Sequence, residues 1–330
     1  MERSLVHIEE VLEVAPIKGA DFIEQIHVLG WSLVAKKDEF KPGDRCVFFE
    51  IDSILPEKPE FEFMRKSKFR IRTIRLRQIL SQGLALPLSI LPDGEYALKQ
   101  DVTDLVGVTK YEPPVQANCG DTAGSFPHHV SKTDEMRIQA FPELLDELRG
   151  KDCYVTLKHD GTSATYVRFG DEVWVCSRTL AKKDGDNVYW QMNRKYGITD
   201  KLLSLPGNFA VQGEICGPGI QKNRLGLKEH DLFVFNVYDV DKGRHLDYAD
   251  FLSFCQEHGL KTVVVLDENF QFNHTLEQLL ELAKGKYNGT KNDREGIVIR
   301  PKVGCYSKCL QGRLSVKVIN NDYLLGDQDA

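Results

Sequence analysis

Thr156 to Tyr166 reads TLKHDGTSATY. The apolar run CYVTL (153–157) ends on Lys158, and Asp160-Gly161 then turns the chain into SATYVRF (163–169). Strand alternation puts Lys158 on the face of Thr156 and Tyr154, with Leu157 and Val155 opposite. Burying an ammonium is costly unless it is paired or used. A lysine delivered by an apolar strand to a tight turn beside a carboxylate is therefore either surface decoration or chemistry. The tetrapeptide alone does not decide between them; the surrounding strands do.

SATYVRFGDEVWVCSR (163–178) is a hairpin centred on Gly170-Asp171, and it ends on Arg178. NFAVQGEIC (208–216) carries Glu214 near the end of an apolar strand, and LFVFNVYDV (232–240) sets Phe233 and Phe235 on one face. EGIVIRP (295–301) opens on Glu295, and LSVKVIN (314–320) holds Lys317 between Val316 and Val318. TVVVLD (262–267) reads as a further strand. FPELLDELRGK (141–151) reads as a helix, with Pro142 near its start and Gly150 just past its end. HLDYADFLSFCQEHG (245–259) and TLEQLLELAKG (275–285) are further helices, the second opening on Thr275 and Gln278 at capping-box spacing. This half is α+β with mainly antiparallel strands. Each charge alone could be a paired structural ion or a strand-end solvation device. Two lysines, an arginine and three carboxylates on neighbouring strands mark a site instead. No GxxxxGK[ST] loop or GxGxxG turn is present, so phosphate binding by a glycine-rich loop is unsupported.

KHDG (158–161), SRT (177–179), GEICG (213–217), FVFNV (233–237), EGIVIR (295–300) and SVKVIN (315–320) occur in this order. As a set they resemble the motifs of covalent nucleotidyltransferases, the superfamily of ATP-dependent DNA ligases, RNA ligases and mRNA capping enzymes. With the chain ending at Ala330, no OB domain is expected after the last motif; an OB-like half comes first. That order, with KTDEMRIQ (132–139) just upstream of the lysine, resembles RNA ligases of the Deinococcus and Naegleria type.

The resemblance implies that Lys158 takes AMP from ATP, releasing pyrophosphate. At a pKa near 10.4 only about one lysine in two thousand is neutral at pH 7. A bound magnesium, Arg178, Arg137 and Lys317 are the cations expected to depress that value. Asp160, Glu214 and Glu295 are implied to hold Mg2+ or Mn2+ largely through water, with Lys317 and the metal meeting charge on the phosphate. Arg137, Arg178, Glu214, Phe235, Glu295 and Lys317 are the implied ATP contacts besides Lys158. Phe235 is the aromatic expected to stack on adenine, with Phe233 the alternative. Two positions depart from the pattern: Asn236 stands where the family has Asp, and Ser315 where many ligases have the first lysine of Lys-x-Lys. Arg313 is left open as a substitute.

Residues 1–110 read as short strands and turns. WSLVA (31–35) is followed by KKDE, and KPGDRCVFFEIDSILP (41–56) is a turn feeding an apolar run. Between Arg65 and Arg77 lie seven basic residues and no acidic one. Lys68, Arg70 and Arg72 alternate with Phe69, Ile71 and Thr73, and the phase then slips so that Arg75 and Arg77 alternate with Ile74 and Leu76. One strand with a basic face, bulged at the slip, is the expectation. A small β-barrel with such a strand suits an OB-type module tracking a phosphate backbone, with Lys68, Arg70, Arg72, Arg75 and Arg77 as its contacts. A net charge of −6 would argue against nucleic acid only if it were evenly spread, which it is not.

The organisation expected is thus an OB-type nucleic-acid-binding domain (1–110), a Pro/Gly-rich linker (111–130) and an antiparallel-sheet adenylyltransferase domain (131–330). The N-terminus lacks an apolar signal segment and the eight cysteines are scattered, so reduced thiols and a cytoplasmic location are expected. Cys305 and Cys309 lack a second Cys/His pair at ligand spacing, so they do not read as a zinc site. No apolar run reaches the ~18 residues of a membrane span. The reading is a monomeric ATP-dependent RNA ligase acting on nicked duplex RNA or an RNA/DNA hybrid. Its rivals are a minimal DNA ligase and a non-catalytic OB-type nucleic-acid binder.

Overall fold

One eleven-residue strand, Val6–Pro16, organises the first part of the computed structural model, which describes residues 4–111 and 121–326. Its first half pairs with Arg45–Phe49 and its second half with Ile23–Val28, with a register shift between Val11 and Glu13. Serving two neighbours with a bulge between them bends the strand. The five-stranded sheet therefore curls, in the order Trp31–Lys36, Ile23–Val28, Val6–Pro16, Arg45–Phe49, Leu84–Pro87, around Ile8, Trp31, Leu33, Phe48 and Phe49. This is an OB-type half-barrel.

The basic stretch is not one bulged strand. Pro59–Ser67 forms 3-10 turns, Lys68 and Phe69 take left-handed φ of 54° and 58°, and only Thr73–Leu76 is a strand. It forms a hairpin with Ile79–Gln82 across Arg77 and Gln78, both at positive φ. That mirror-image turn matches strand twist and is usually marked by Asn or Gly; Arg-Gln hides it. The alternation of Phe69, Ile71 and Thr73 is real, and all three are buried. Past Thr73 the hairpin exposes both faces, Ile74 and Leu76 included. The phase slip marked an exposed hairpin, and the bulge lies in Val6–Pro16.

The chain divides into two compact units, Met1–Pro113 with Ile138–Glu143 and Leu324–Ala330, and Pro114–Arg137 with Leu144–Tyr323. The second holds two large sheets and a small hairpin of Tyr306–Ser307 with Gly312–Arg313. An antiparallel sheet of seven strands runs Thr122–Ser125, Leu180–Lys182, Glu172–Cys176, Thr162–Phe169, Phe209–Cys216, Asp231–Asp239, Arg244–His245. A five-stranded sheet runs Met136–Arg137, Val316–Ile319, Gly296–Pro301, Asp152–Lys158, Val265–Gln271, with only the first pair parallel. Thr122–Ser125 lies within the stretch read as a linker; residues 112–120 of that stretch lie outside the described residues.

The helices Leu144–Leu148, Tyr248–Glu257 and Leu276–Ala283 form where expected, the last with both capping-box hydrogen bonds between Thr275 and Gln278. Val188–Tyr196 and Ile198–Ser204 add two helices the sequence reading passed over; Asn187 caps the first and left-handed Gly197 joins them. TVVVLD is displaced: the strand is Val265–Gln271, mostly exposed at the sheet edge, where polar residues serve as well as valines. Among the described residues no helix is long and apolar enough to cross a membrane.

Candidate active site

Lys158 is the last residue of its strand and pairs with Gly296, while Glu295 immediately precedes that glycine. A Cβ at Gly296 would meet Val318 O at 2.1 Å, so glycine lets the strand carrying Lys317 close in. Gly161 acts similarly at the turn after Asp160, where a Cβ would lie 2.3 Å from Ile215 O beside Glu214. The Tyr287 hydroxyl donates to Lys158 O (3.0 Å) and accepts from the Glu295 amide (3.2 Å), pinning both motifs at one point.

Side chains from both large sheets line one cleft, whose space counted out into open solvent is about 570 Å3. Its lining includes Lys158, Lys317, Arg178, Glu214 and Phe235, together with Glu135, Val263, Val298 and Arg300. Arg137 is in register with Lys317 across a strand pair but does not line the cleft. Asp160 and Glu295 flank Lys158 without lining it. Of the two aromatics, Phe235 faces the cleft, whereas Phe233 stacks on His159 at 4.6 Å.

Lys158 Nζ lies 2.9 Å from Glu295 Oε1. Burial pulls the lysine's pKa down, but Glu295 and Glu214 outweigh it, and the ammonium is held above the ordinary lysine range despite Arg178. This corrects the expectation that neighbouring cations leave Lys158 easier to deprotonate: among the protein's own groups the carboxylates win. They are themselves crowded. Burial, with repulsion from Glu295, pushes Glu214 up to about 7 and Asp160 up to about 6. Two carboxylates that resist ionising beside a third suit a hard cation. Among the described residues no three His, Cys, Asp or Glu side chains are close enough to grip one directly.

Lys317 is pulled down to about 7 by burial and by Lys158 and Arg137. As pH rises through 7, Glu214 gains negative charge and Lys317 loses positive charge. A polyphosphate that restores the Lys317 proton on binding takes up that proton, so its affinity falls with pH. In EDTA, inorganic triphosphate should lose ~10-fold more affinity between pH 6 and 8 with the parent protein than with Lys317→Met. Equal losses in the two proteins, measured by calorimetry, would remove Lys317 from the phosphate end.

Sequence reasoning missed a second charged group. Arg300 is buried, donates to Ser315 Oγ (3.0 Å) and pairs with Glu135 at 2.7 Å. Burial alone would raise the Glu135 carboxyl, yet Arg300 holds it down at about 2. Arg313 Nη1 donates to Asn236 Oδ1 at 2.6 Å. Both positions that depart from the family pattern thus serve arginines. The signal was faint: Arg300 stands just before the closing Pro301 of EGIVIRP and resembles a strand-end charge.

Of the basic residues in the first unit, Arg70 is engaged, 3.1 Å from Asp52 and 3.3 Å over the Tyr111 ring. Lys68, Arg72, Arg75 and Arg77 are exposed.

An OB-fold domain model matches residues 5–88 and an RNA ligase model matches residues 151–319. Among solved structures, Naegleria gruberi RNA ligase with PPi is 38% identical with a TM-score of 0.92, covering 100% of both chains. A point mutant of that ligase with ATP and Mn is 37% identical with a TM-score of 0.91, covering 99% of this chain and 100% of that one. No curated protein matches this chain.

Proposed function

Since this chain belongs to the RNA ligase family, we propose that it seals 3′-hydroxyl/5′-phosphate nicks in duplex nucleic acid through AMP carried on Lys158. That it is an ATP-dependent RNA ligase rests on the family match and on full-length likeness to a ligase solved with ATP and Mn. One observation carries the finer reading. Lys158 is sequestered by Glu295 at 2.9 Å on the edge of a cleft that also holds Lys317, Arg178 and Phe235.

The neutral Lys158 amine attacks the α-phosphorus of ATP, an N–P bond forms, and pyrophosphate leaves. A 5′-phosphate oxygen of the nick then attacks that phosphorus, the N–P bond breaks, and the end carries AMP through a pyrophosphate linkage. The 3′-hydroxyl attacks the 5′-phosphorus, its proton goes to solvent, and AMP leaves. Phe235, with Val263 and Val298, provides an apolar slot for adenine, and Lys317 and Arg178 supply positive charge at the phosphates, with Arg137 acting on Lys317 from the neighbouring strand. Asp160, Glu214 and Glu295 would hold Mg2+ or Mn2+ largely through water, and the ion would supply positive charge in competition with the Lys158 ammonium.

In the first unit, the hairpin Thr73–Gln82 offers Arg72, Arg75 and Arg77 to a phosphate backbone, and the stretch from Lys66 to Pro92 contains no acidic residue. Replacing all three by Gln should flatten the dependence of log K on log[salt] for nicked duplex by up to ~3, near one per lost phosphate contact. A slope identical to the parent's would remove the hairpin from the interface.

The substrate is read as an RNA-ended nick, in RNA repair, by a cytosolic monomer. A ribose 3′ end adds a 2′-hydroxyl and favours A-form geometry, and misplacing the attacking oxygen by about an ångström costs ~100-fold. Single-turnover sealing of four nicks, differing only in the last two nucleotides on the 3′-hydroxyl side, should show RNA there rescuing an all-DNA nick. Equal rates would favour a minimal DNA ligase. Absence of any protein-bound label from α-labelled ATP with metal would leave only a nucleic-acid binder.

A further inference from the structure

Asp160 lies two residues beyond Lys158 on a tight turn, where a carboxylate would ordinarily take the lysine's ammonium. It has other partners. Asp160 Oδ2 lies 3.5 Å from Nε of Arg224, and its carboxylate accepts a hydrogen bond from the Tyr323 hydroxyl. All three residues are buried. The Arg224 guanidinium sits 4.4 Å over the Tyr323 ring, so the two partners brace each other.

Their supports are distinct. Arg224 comes from the loop between Phe209–Cys216 and Asp231–Asp239, and its carbonyl accepts from Asn292 Nδ2 at 2.7 Å. Three residues earlier, Gln221 Nε2 donates to Gly161 O at 3.2 Å, clamping the turn itself. Tyr323 comes from the helix Asn321–Gly326, which begins directly after Asn320. Asn320 donates its amide to Glu295 O at 2.9 Å and its side chain to Arg294 O at 3.0 Å. The loop and the helix thus converge on one carboxylate, and each is anchored to another motif of the site.

We propose that Arg224 is a positioning residue: with Tyr323 it draws Asp160 off Lys158 and holds the carboxylate turned toward a hydrated divalent cation. This rests on the reading of Asp160 as a metal-holding group. Without Arg224, Asp160 would be free to swing to the Lys158 ammonium, adding a second anion there and weakening the hold on the cation.

The test uses the full chain with Lys158 in place and α,β-methylene ATP, whose P–C–P bridge blocks AMP transfer, and reads free Mn2+ by its electron paramagnetic resonance signal. Arg224→Gln should weaken Mn2+ binding ~10-fold, as loss of a supporting partner to a metal-holding group does. Arg224→Lys should recover part of that, and Tyr323→Phe should lose less. With Asp160→Asn already present, Arg224→Gln should cost nothing more, because the two act through one contact. With ATP itself, Arg224→Gln should raise the half-saturating metal for adenylylation while the rate at saturating metal recovers.

Mn2+ affinity unchanged in Arg224→Gln but weakened in Asp160→Asn overturns the inference alone. Affinity unchanged in Asp160→Asn overturns the metal reading and the inference together. If Arg224→Gln melts early, Arg224→Lys and Tyr323→Phe decide: a loss in both that Asp160→Asn abolishes supports the proposal, and no loss in either overturns it.

Discussion

Lys158→Ala and Lys158→Arg should each leave no detectable AMP on the protein after incubation with α-labelled ATP and metal. The alanine protein has no nucleophile. The arginine protein keeps charge and length, but a guanidinium stays protonated at any workable pH and cannot form the N–P bond. The expected loss is therefore complete rather than graded. Both proteins should still seal a nick whose 5′ end already carries AMP, because that step breaks no bond to lysine. Label surviving in either variant would move the nucleophile elsewhere; failure on the pre-adenylylated nick would show that the lysine also serves the last step.

Glu295→Gln separates two roles that the geometry alone leaves joined. Glu295 both pairs with Lys158 at 2.9 Å and contributes most among the nearby charges to keeping it protonated. If pairing were its whole purpose, removing its charge would ease deprotonation and speed adenylylation. If it helps hold the metal, the loss should dominate. We expect adenylylation at neutral pH to fall by ~100-fold or more, comparable to removing one well-placed electrostatic group from a transition state. Circular dichroism and melting should stay at parent values. An equal or faster rate would reduce Glu295 to a guard on the lysine, and unfolding would make it a structural ion.

Charges interrupting apolar strands were the readable part of the site. Lys158, Glu214, Glu295 and Lys317 stand out because burying each demands a reason, and the structure sets them on neighbouring strands of the two large sheets. What could not be read were roles conferred by partners distant in the chain. Tyr287 joins two motifs through one hydroxyl, and Arg224 lies in a loop whose composition looks like ordinary surface. The OB-type core was legible from short apolar strands, but the basic stretch was not, because its turn uses positive φ at Arg77 and Gln78, residues that rarely announce one. The helices from Val188 to Ser204 carried an Asn cap and a glycine break, signals the strand-centred reading passed over.

The arginines beneath the cleft constrain how this chain can change. Arg300 is seated on Ser315 and Glu135, and Arg313 on Asn236. A lysine at 315 would place a third cation among two arginines with one carboxylate to balance them, whereas an aspartate at 236 would give Arg313 an anion of its own and bring the cluster to balance. Introduced together, the two changes leave net charge unaltered; introduced singly, the lysine deepens the imbalance and the aspartate removes it. Travel between this pattern and the Asp/Lys pattern of other ligases is therefore path-dependent: the aspartate has to come first, and the fitness of the lysine is set by whether it is already present.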